Sequence, residues 1–521
     1  MAEEKKREVA IVHYNTPELT EATILSLRKH GGADYHVTIF DNSDKRPFKA
    51  QMKGVDVIDN TKGQQINFEV ELARFPHKCD ATQNGWGSDM HMMSVQKLWD
   101  LLPDGFLLLD SDVLIKKNLD HMWMSDQVAV GHVQDPQPGN RFHLARLVPM
   151  VLYINVPLCK KFGLKFFDPE RSWMLNSPHL NDRLNWYDTG AAFYEDIHRK
   201  KNGCRGRRID IRPLMEHFQK GSWLRSDIKE QAKWLNTHKL LWEPTPQMRG
   251  IKKIAICAIA RNENRYAREW VEHYKKIGAS KLFIYDNYFG NEEPIAEVLK
   301  DYVKSGLVEI IDCHDRKNYQ LPAYMDCYAK HGNDFAWIGF LDMDEYLRWE
   351  GRKKIESMFA PYQTGDALLI NWRLFTDNGL VHYDDRPLAV RFTEVMPVDR
   401  PVKYKRPEND HVKCFVRGGL GTVRFGSPHH PEQALKCINT RGEKVPSSAF
   451  CAPFDHSVMR LDHYWTKTAE EWIGTKLVRG FASGHTYIEN FMRVQADYFF
   501  RVNERTPEKE AIIYGKPETT K

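Results

Sequence analysis

The amino-acid sequence predicts an α/β protein made of two tandem copies of one Rossmann-like architecture, each with a mostly parallel sheet. Apolar strands alternate with helical patterns in both halves of the chain, which is typical of β-α-β units. The chain has 521 residues, too many for one hydrophobic core and suited to two domains of roughly 200–250 residues each. Three sequence landmarks also recur in the same order in the two halves.

The landmarks are a first strand with a polar turn, a second strand that ends in Asp-Asn, and a later apolar strand that ends in Asp-x-Asp. The first half reads VAIVHYN, HVTIFDN and FLLLDSD, and the second half reads IAICAIARN, KLFIYDN and IGFLDMD. Three matches in one order indicate a repeat. Because the strands are apolar along their whole length, we expect helices to cover both faces of each sheet.

The repeat predicts the domain limits. We expect the first copy at residues 1–220, a helical linker at 221–250, the second copy at 251–505 and a charged tail at 506–521.

Composition restricts the classes of partner. The net charge of +5 is too small for a nucleic-acid-binding protein. The nine cysteines form no Cys-x-x-Cys pair and indicate reduced thiols. No apolar run is long enough for a signal peptide or a membrane span. We therefore expect a cytoplasmic protein with at most peripheral contact at the inner face of a membrane.

The stretch WIGFLDMDEYL places Asp342 and Asp344 directly after an apolar strand. Ligands of open parallel sheets bind at this end of the strands, and residues i and i+2 of an extended segment point to the same side. Two converging carboxylates suit Mg²⁺ or Mn²⁺, and the cation offsets the cost of burying them. Asp110 and Asp112 offer the same arrangement in the first half. A lone Asp-x-Asp is usually a solvated turn, but its recurrence favours two metal sites that assist diphosphate departure.

Two further sets of residues are candidates for nucleotide contacts. Asp41 and Asp286 end the second strands and could accept a hydrogen bond from a base or ribose, or could cap their own turns. Both interpretations stay open. The turns after the first strands, residues 14–16 and the turn that contains Arg261 and Asn262, would flank the nucleotide. Arg261 could contact phosphate or form a structural ion pair.

Residues 319–347, YQLPAYMDCYAKHGNDFAWIGFLDMDEYL, resemble glycosyltransferase family 92 in their Gln, their helical Asp-Cys, and their aromatic strand before Asp-x-Asp-Glu. NWRLFTDNG at 371–379 and HYWTKTAEEWIGTKLVRG at 463–480 resemble further elements of that family. The resemblance spans nearly all of 252–480 and implies a GT-A fold, a nucleotide-sugar donor, a divalent metal and inversion at the anomeric carbon. The family usually has small residues where this chain has Thr376-Asp377-Asn378, which leaves the acceptor open.

The first half resembles family 2-like GT-A enzymes more loosely. HYNTPELTEATILSL looks like their opening strand and helix, LLLDSDVLI like their metal motif, and NWYDTGAAFYEDI at 185–197 like an acceptor-side loop. DSDVLI also resembles motifs of retaining GT-A families, so the stereochemistry of the first half is open.

An inverting transfer needs a carboxylate base near the anomeric carbon. Asp377 and Glu345 are the candidates in the second half; the alternatives are a turn residue and a carboxylate that orients metal ligands. Asp188 is the candidate in the first half, or else a turn-forming residue. Trp86 and His91 could approach the donor sugar. The alternative is that Ser88 and Asp89, which lie between them, cap the start of a helix.

The resemblance implies further ligands in the second half. GT-A enzymes often supply a late histidine, so His463 is the candidate third metal ligand, and Lys467 and Lys476 would face the diphosphate. His429 and His430 stand together in SPHHPE without a partner at zinc spacing. A substrate-contacting loop is the better interpretation of that pair.

These residues predict a bifunctional glycosyltransferase that uses nucleotide sugars. We expect UDP-sugars, with galactose the candidate for the second half. The acceptor would be a growing or lipid-linked glycan, such as capsule or lipopolysaccharide. The alternative is one active domain beside a silent acceptor-binding domain. A sugar nucleotidyltransferase is disfavoured because neither HYNTPE nor ARNENR carries a glycine-rich phosphate loop.

Overall fold

The chain divides into two compact units, Met1–Glu243 and Pro244–Lys521. The computed structural model describes residues 7–74, 84–135, 144–171, 173–174, 186–200, 203–218, 227–290, 292–362, 364–397, 407–432, 435–474 and 489–514. The boundary after Glu243 falls inside the stretch predicted as a linker, so the helices of that stretch belong to the first unit.

The first unit contains eleven strands and seven helices among its described residues. The strands are β1 (Arg7–His13), β2 (Tyr35–Asp41), β3 (Val55–Asp59), β4 (Phe106–Asp110), β5 (Val113–Ile115), β6 (Ala129–Gln134), β7 (Arg146–Ile154), β8 (Trp173–Met174), β9 (Trp186–Tyr187), β10 (Gly206–Arg208) and β11 (Met215–His217). The helices are α1 (Pro17–His30), α2 (Phe68–Ala73), α3 (Asn84–Leu101), α4 (Val156–Lys161), α5 (Ala191–Arg199), α6 (Ile228–Thr237) and α7 (Lys239–Trp242).

The main sheet of the first unit has the strand order β10-β6-β7-β4-β1-β2-β3. Strands β4, β1, β2 and β3 are parallel, and β7 is antiparallel to both neighbours. Val9 and Ile11 pack with α1, whereas Ala10 and Val12 pack with α3. Since successive side chains of a strand point to opposite faces, both faces of β1 are covered and its continuous apolar run is explained.

The second unit contains eleven strands and eight helices among its described residues. The strands are β12 (Ile254–Ala260), β13 (Lys281–Asp286), β14 (Val308–Asp312), β15 (Trp337–Phe340), β16 (Glu345–Arg348), β17 (Ala367–Leu374), β18 (Val412–Arg417), β19 (Phe425–Ser427), β20 (His430–Pro431), β21 (Cys437–Ile438) and β22 (Arg460–His463). The helices are α8 (Asn264–Ile277), α9 (Ile295–Lys304), α10 (Gln320–His331), α11 (Ile355–Phe359), α12 (Leu388–Arg391), α13 (Ala469–Trp472), α14 (Glu489–Val502) and α15 (Pro507–Tyr514).

The main sheet of the second unit repeats the order of the first. It runs β14-β13-β12-β15-β18-β17-β22-β16, with β21 beside β17. The series β14-β13-β12-β15-β18-β17 corresponds strand by strand to β3-β2-β1-β4-β7-β6, with the same parallel and antiparallel pairs. Buried residues of α8 and α10 pack on opposite faces of the sheet. The prediction of a mixed α/β fold with parallel-rich sheets is confirmed.

The segment predicted as a charged tail from residue 506 contains a helix. Residues 507–514 form α15, in which Lys509 and Ile513 are buried. Ile513 joins a cluster with Ala469 and Trp472 of α13. No helix in the described ranges is both long and apolar enough to cross a membrane.

Candidate active sites

The turns after β1 and β12 have the same backbone conformation. Asn15 has φ of 60° and Asn262 has φ of 55°, a left-handed conformation that asparagine tolerates better than most residues. The Asn15 side chain accepts hydrogen bonds from the backbone N–H groups of Lys45 and Arg46, which ties this turn to the loop after β2. The Arg261 guanidinium lies 3.8 Å from the centre of the Phe289 ring.

Asp41 and Asp286 are buried and cap the loops that follow the second strands. Asp41 accepts the backbone N–H groups of Ser43 at 2.9 Å and Phe48 at 2.8 Å. Asp286 accepts the N–H of Ile295, the first residue of α9, at 2.8 Å. Burial raises the pKa of Asp286 to about 6. Of the two interpretations left open by the sequence, loop capping accounts for these hydrogen bonds.

Three potential metal ligands converge in the first unit. Strand β11 pairs antiparallel with β5 and sets His217 opposite Val113, the residue after Asp112. Ligand atoms of Asp110, Asp112 and His217 lie within 4.8 Å of one another, and His217 Nε2 is 3.3 Å from Asp112 Oδ1. Two carboxylates and an imidazole suit a divalent cation such as Mn²⁺.

The negative charge of the two aspartates favours a positive charge at the His217 ring, carried either by a proton or by a bound metal ion. Burial alone would lower the pKa of His217, but the hydrogen bond and charge of Asp112 outweigh burial and raise it. A metal ion and a proton would therefore compete for the same nitrogen. The sequence interpretation missed His217, although MEHF at 215–218 parallels LDHY at 461–464 in placing an aromatic residue after the histidine.

Helix α3 connects this cluster to the predicted base of the first unit. His91 Nε2 is 3.7 Å from Asp110 Oδ1, and Ser88 Oγ donates to Asp188 Oδ1 at 3.0 Å. Arg146 forms an ion pair of 2.5 Å with the other oxygen of Asp188. Since both oxygens are engaged, the structure favours a positioning role for Asp188 over proton acceptance. The side chain of Trp86 lies outside the described part of the chain.

The second unit repeats the arrangement of aspartate and histidine. Strand β22 pairs antiparallel with β16 and sets His463 opposite Glu345, the residue after Asp344. His463 Nε2 is 3.4 Å from Asp344 Oδ1, and Lys467 Nζ is 3.7 Å from Asp344 Oδ2. The structure thus brings Asp344 together with His463 and Lys467. Lys476 lies outside the described residues.

Lys413 is a fully buried cation at this site that the sequence interpretation missed. Its Nζ lies 2.9 Å from Asp342 Oδ2 and 3.9 Å from Glu345 Oε2. Burial alone would lower the pKa of Lys413, but the two carboxylates outweigh burial and raise that pKa well above its ordinary value. Gln320 Nε2 donates to the other Asp342 oxygen at 2.9 Å. The available signal was a lysine inside the apolar strand VKCFVR.

The two predicted bases of the second unit, Asp377 and Glu345, are both buried and hydrogen-bonded within the protein. Asp377 is buried, accepts the N–H of Gly379 at 2.9 Å and lies 2.7 Å from Lys509 Nζ of α15. Glu345 is fully buried, and its Oε2 accepts the N–H of Asp342 at 2.9 Å. Burial raises the pKa of both carboxyl groups. Neither side chain is open to a substrate hydroxyl, so the structure does not favour either as the base.

Residues 252–444 match the family model of glycosyltransferase family 92. A glycosyltransferase family 92 protein of Ricinus communis is 26% identical over 177 residues, which cover 33% of this chain and 32% of that protein. A family 92 protein of Oryza sativa subsp. japonica is 25% identical over 137 residues, which cover 23% of this chain and 21% of that protein. Galactan beta-1,4-galactosyltransferase GALS3 of Arabidopsis thaliana is 28% identical over 98 residues, covering 18% and 19% of the two chains. The chain thus spans a third or less of these curated relatives.

Two solved structures are similar to parts of the chain. The apo structure of the bifunctional glycosyltransferase WbbM has 10% identity and a TM-score of 0.25, covering 40% of each chain. S. aureus TarS 1-349 in complex with UDP-GlcNAc has 11% identity and a TM-score of 0.26, covering 50% of this chain and 70% of that chain. These scores are too low to identify a fold. The similarity to glycosyltransferase family 92 rests on the match of residues 252–444, a segment that contains Asp342, Asp344 and Lys413.

Proposed function

We propose that this chain is a bifunctional, metal-dependent glycosyltransferase with one nucleotide-sugar site in each unit. The observation that carries the proposal is the shared arrangement: an Asp-x-Asp turn after a buried parallel strand, faced by a histidine from a neighbouring antiparallel strand. The family 92 match supports the proposal for the second unit. The loose resemblance to family 2-like enzymes in the first unit stays a prediction.

Each unit has side chains that are candidates to hold a divalent cation. Asp110, Asp112 and His217 would hold it in the first unit, where three ligand atoms already converge. In the second unit Asp344 and His463 would hold it, with the carboxylate of Asp342 beside them. A bound Mn²⁺ or Mg²⁺ would neutralise charge on the diphosphate leaving group.

The cationic side chains of the second unit complement an anionic donor. Lys467 lies 3.7 Å from Asp344, so its ammonium would contact a phosphate oxygen of a donor bound beside that aspartate. Lys413 holds Asp342 in place from beneath, where the donor cannot reach it. Asp342 therefore keeps one orientation before the donor arrives, which lowers the ordering cost of binding.

We infer a UDP-sugar as the donor, with galactose the first candidate for the second unit because one relative is named a galactosyltransferase. We also propose inversion at the anomeric carbon in this unit, on the basis of the family 92 resemblance. The proposed acceptor is a glycan or lipid-linked glycan of the cell surface. The proposed location is the cytoplasm, with at most peripheral contact with the membrane.

Equilibrium binding tests this proposal independently of turnover. Calorimetric titration with Mn²⁺ followed by UDP-galactose should detect donor binding by the wild type, and Asp342→Asn/Asp344→Asn should weaken it at least tenfold, about 1.4 kcal/mol. The matched control is Asp301→Asn/Asp334→Asn, at side chains that are 53% and 62% exposed. Equal donor binding by the site variant and the control variant would contradict the proposed site.

A further inference from the structure

Trp372 of β17 is surrounded by histidines beside the Asp-x-Asp turn. The ring of His411 stacks on it at 4.7 Å between centroids and 18° between planes. His429 and His463 contact the same ring at 5.2 and 4.4 Å. Because His463 also faces Asp344, this cluster lies next to the proposed donor site.

The Trp372 side chain carries a hydrogen-bond donor for which the described residues supply no acceptor. The Trp372 side chain is buried, with 8% of the residue exposed, and no described residue accepts a hydrogen bond from its Nε1–H. A buried donor left unpaired carries an energetic cost. An oxygen of a bound molecule would remove that cost.

Two histidines of the cluster present a nitrogen lone pair. His411 Nδ1 lies 3.0 Å from the carbonyl oxygen of Glu408 and 3.0 Å from its Oε2. Both oxygens only accept, so the proton of His411 is on Nδ1 and its Nε2 is an acceptor. His429 Nδ1 lies 2.9 Å from the carbonyl oxygen of Val412, which fixes the same tautomer.

The cluster therefore combines one unsatisfied N–H donor with two nitrogen acceptors. A sugar hydroxyl both donates and accepts hydrogen bonds, so this set of groups matches a carbohydrate acceptor. Of the two acceptor nitrogens, His411 is backed by a carboxylate that is 7% exposed. An imidazole held in this way by a carboxylate is the arrangement that orients a general base and stabilises its protonated form.

We propose that an acceptor-sugar hydroxyl binds against Trp372 and that His411, oriented by Glu408, takes its proton during transfer in the second unit. This inference rests on the proposed function of that unit. The hydroxyl oxygen forms a bond to the anomeric carbon while the bond from that carbon to the diphosphate oxygen breaks. The electron pair leaves with the nucleoside diphosphate. The proton moves to His411 Nε2, is balanced by the Glu408 carboxylate, and then passes to water.

His429 is suited to a different part in the same subsite. Burial, followed by the nearby charge of Lys413, lowers the pKa of His429 to about 3. It therefore stays neutral near pH 7 and serves only to accept a hydrogen bond.

The test measures hydrolysis of UDP-galactose with Mn²⁺, in which water takes the place of the acceptor hydroxyl. Asp110→Asn/Asp112→Asn forms the background, so that only the second unit contributes. His411→Gly should lower kcat by about 100-fold or more, the usual contribution of a general base. The Kd for UDP-galactose from calorimetry should change less than about twofold, because the proposed role is in the chemical step.

Added imidazole separates a chemical role of His411 from a structural one. It should restore at least about tenfold of the lost kcat in His411→Gly, because a free base can occupy the vacated space. The matched control is His382→Gly, at a histidine that is 65% exposed, which should keep its rate with or without imidazole. Glu408→Asp should retain more activity than Glu408→Gln if the negative charge orients and stabilises His411.

Each outcome decides between defined alternatives. If His411→Gly keeps kcat within about threefold, or loses it without rescue while donor binding is intact, His411 is not the base. If glycine unfolds this turn, His411→Asn must lose kcat to the same extent, because it keeps a donor for Glu408 but lacks the second nitrogen. A wild type that neither binds nor hydrolyses UDP-sugars would overturn the proposed function itself, and this inference with it.

Discussion

Lys413 balances the negative charge of the second unit's site, although its side chain is fully buried. Its ammonium is fully buried and pairs with Asp342, which keeps the pKa of that carboxyl lowered even though burial alone would raise it. Removing one partner of a buried pair leaves an uncompensated charge, which usually costs far more than the pair itself contributes. Lys413 therefore stabilises the unit and prepares the site at once.

We predict that Lys413→Met lowers the free energy of unfolding by about 3–5 kcal/mol. Urea denaturation followed by tryptophan fluorescence measures this change. Lys413→Met/Asp342→Asn should recover part of the loss, because one of the two carboxylates that face Lys413 is then uncharged. Lys330→Met is the control: its exposed pair with Asp326 should contribute at most about 1 kcal/mol. A loss as small as that of the control would contradict the assigned role.

His217 is predicted to be a metal ligand of the first unit. In the Asp342→Asn/Asp344→Asn background, His217→Ala should weaken Mn²⁺ binding at least tenfold, about 1.4 kcal/mol. Electron paramagnetic resonance of free Mn²⁺ measures the affinity. His121→Ala, at an exposed histidine of the same unit, should leave it unchanged. An unchanged affinity in His217→Ala would remove His217 from the site.

Asp286 is predicted to make stability depend on pH. Burial raises its pKa to about 6 from an ordinary value of 3.8, so the folded chain binds this proton more tightly than the unfolded chain. Its favourable contribution is fully present below pH 3.8 and is lost as the pH rises through about 6. Asp286→Asn keeps an oxygen for the N–H of Ile295.

Between pH 4 and 7 this variant should gain stability relative to the wild type by up to about 3 kcal/mol. Urea titrations at several pH values measure the difference. A difference that is constant across this range would show that Asp286 does not titrate as described.

At the scale of elements, the sequence predicted the parts of the site that follow buried strands. The apolar runs before Asp110 and Asp342 locate both Asp-x-Asp turns, and the structure has β4 and β15 there. The strand that carries His217 was not predicted, because its pairing with β5 joins residues about a hundred positions apart and leaves no local periodicity. Lys413 was missed for a related reason: only the neighbouring strand shows which carboxylate it serves.

The C-terminal segment of the second unit makes contacts with Asp377 that the sequence did not reveal. In the sequence, an Asp before Asn-Gly is compatible with a turn residue or a catalytic base. No neighbouring residue in the sequence indicates that Lys509 of α15 lies 2.7 Å from the Asp377 carboxylate. The backbone N–H of Asp377 also donates to the side chain of Asn503, the residue directly after α14, at 2.7 Å. These contacts assign Asp377 to holding α14 and α15 in place.

We therefore predict that Asp377→Asn changes stability and not the chemical step. Lys509 would lose its buried partner, and the free energy of unfolding should fall by about 3–5 kcal/mol. The kcat per folded molecule should stay within about twofold, because the residue does not meet the substrate. Thermal denaturation and donor turnover measure the two effects. A stable variant with kcat reduced a hundredfold would return Asp377 to the role of base.

At the scale of the whole molecule, the chain repeats one architecture with two different surroundings for the Asp-x-Asp motif. Both units have the same series of six strands and the same placement of a histidine beside the second aspartate. The second unit adds the buried Lys413 and the nearby Lys467. We expect the two sites to differ in donor, since different charges surround otherwise similar ligands.

The measurement that tests the central claim most directly is hydrolysis of nucleotide sugars with Mn²⁺ across UDP-, GDP-, CMP- and TDP-sugars. The proteins are the wild type, Asp110→Asn/Asp112→Asn and Asp342→Asn/Asp344→Asn. Two active sites predict that each double variant loses turnover of a different nucleotide sugar while it keeps the other. If all turnover is lost with one pair of aspartates and none with the other, one unit is catalytically silent and holds the acceptor, and the bifunctional account is contradicted.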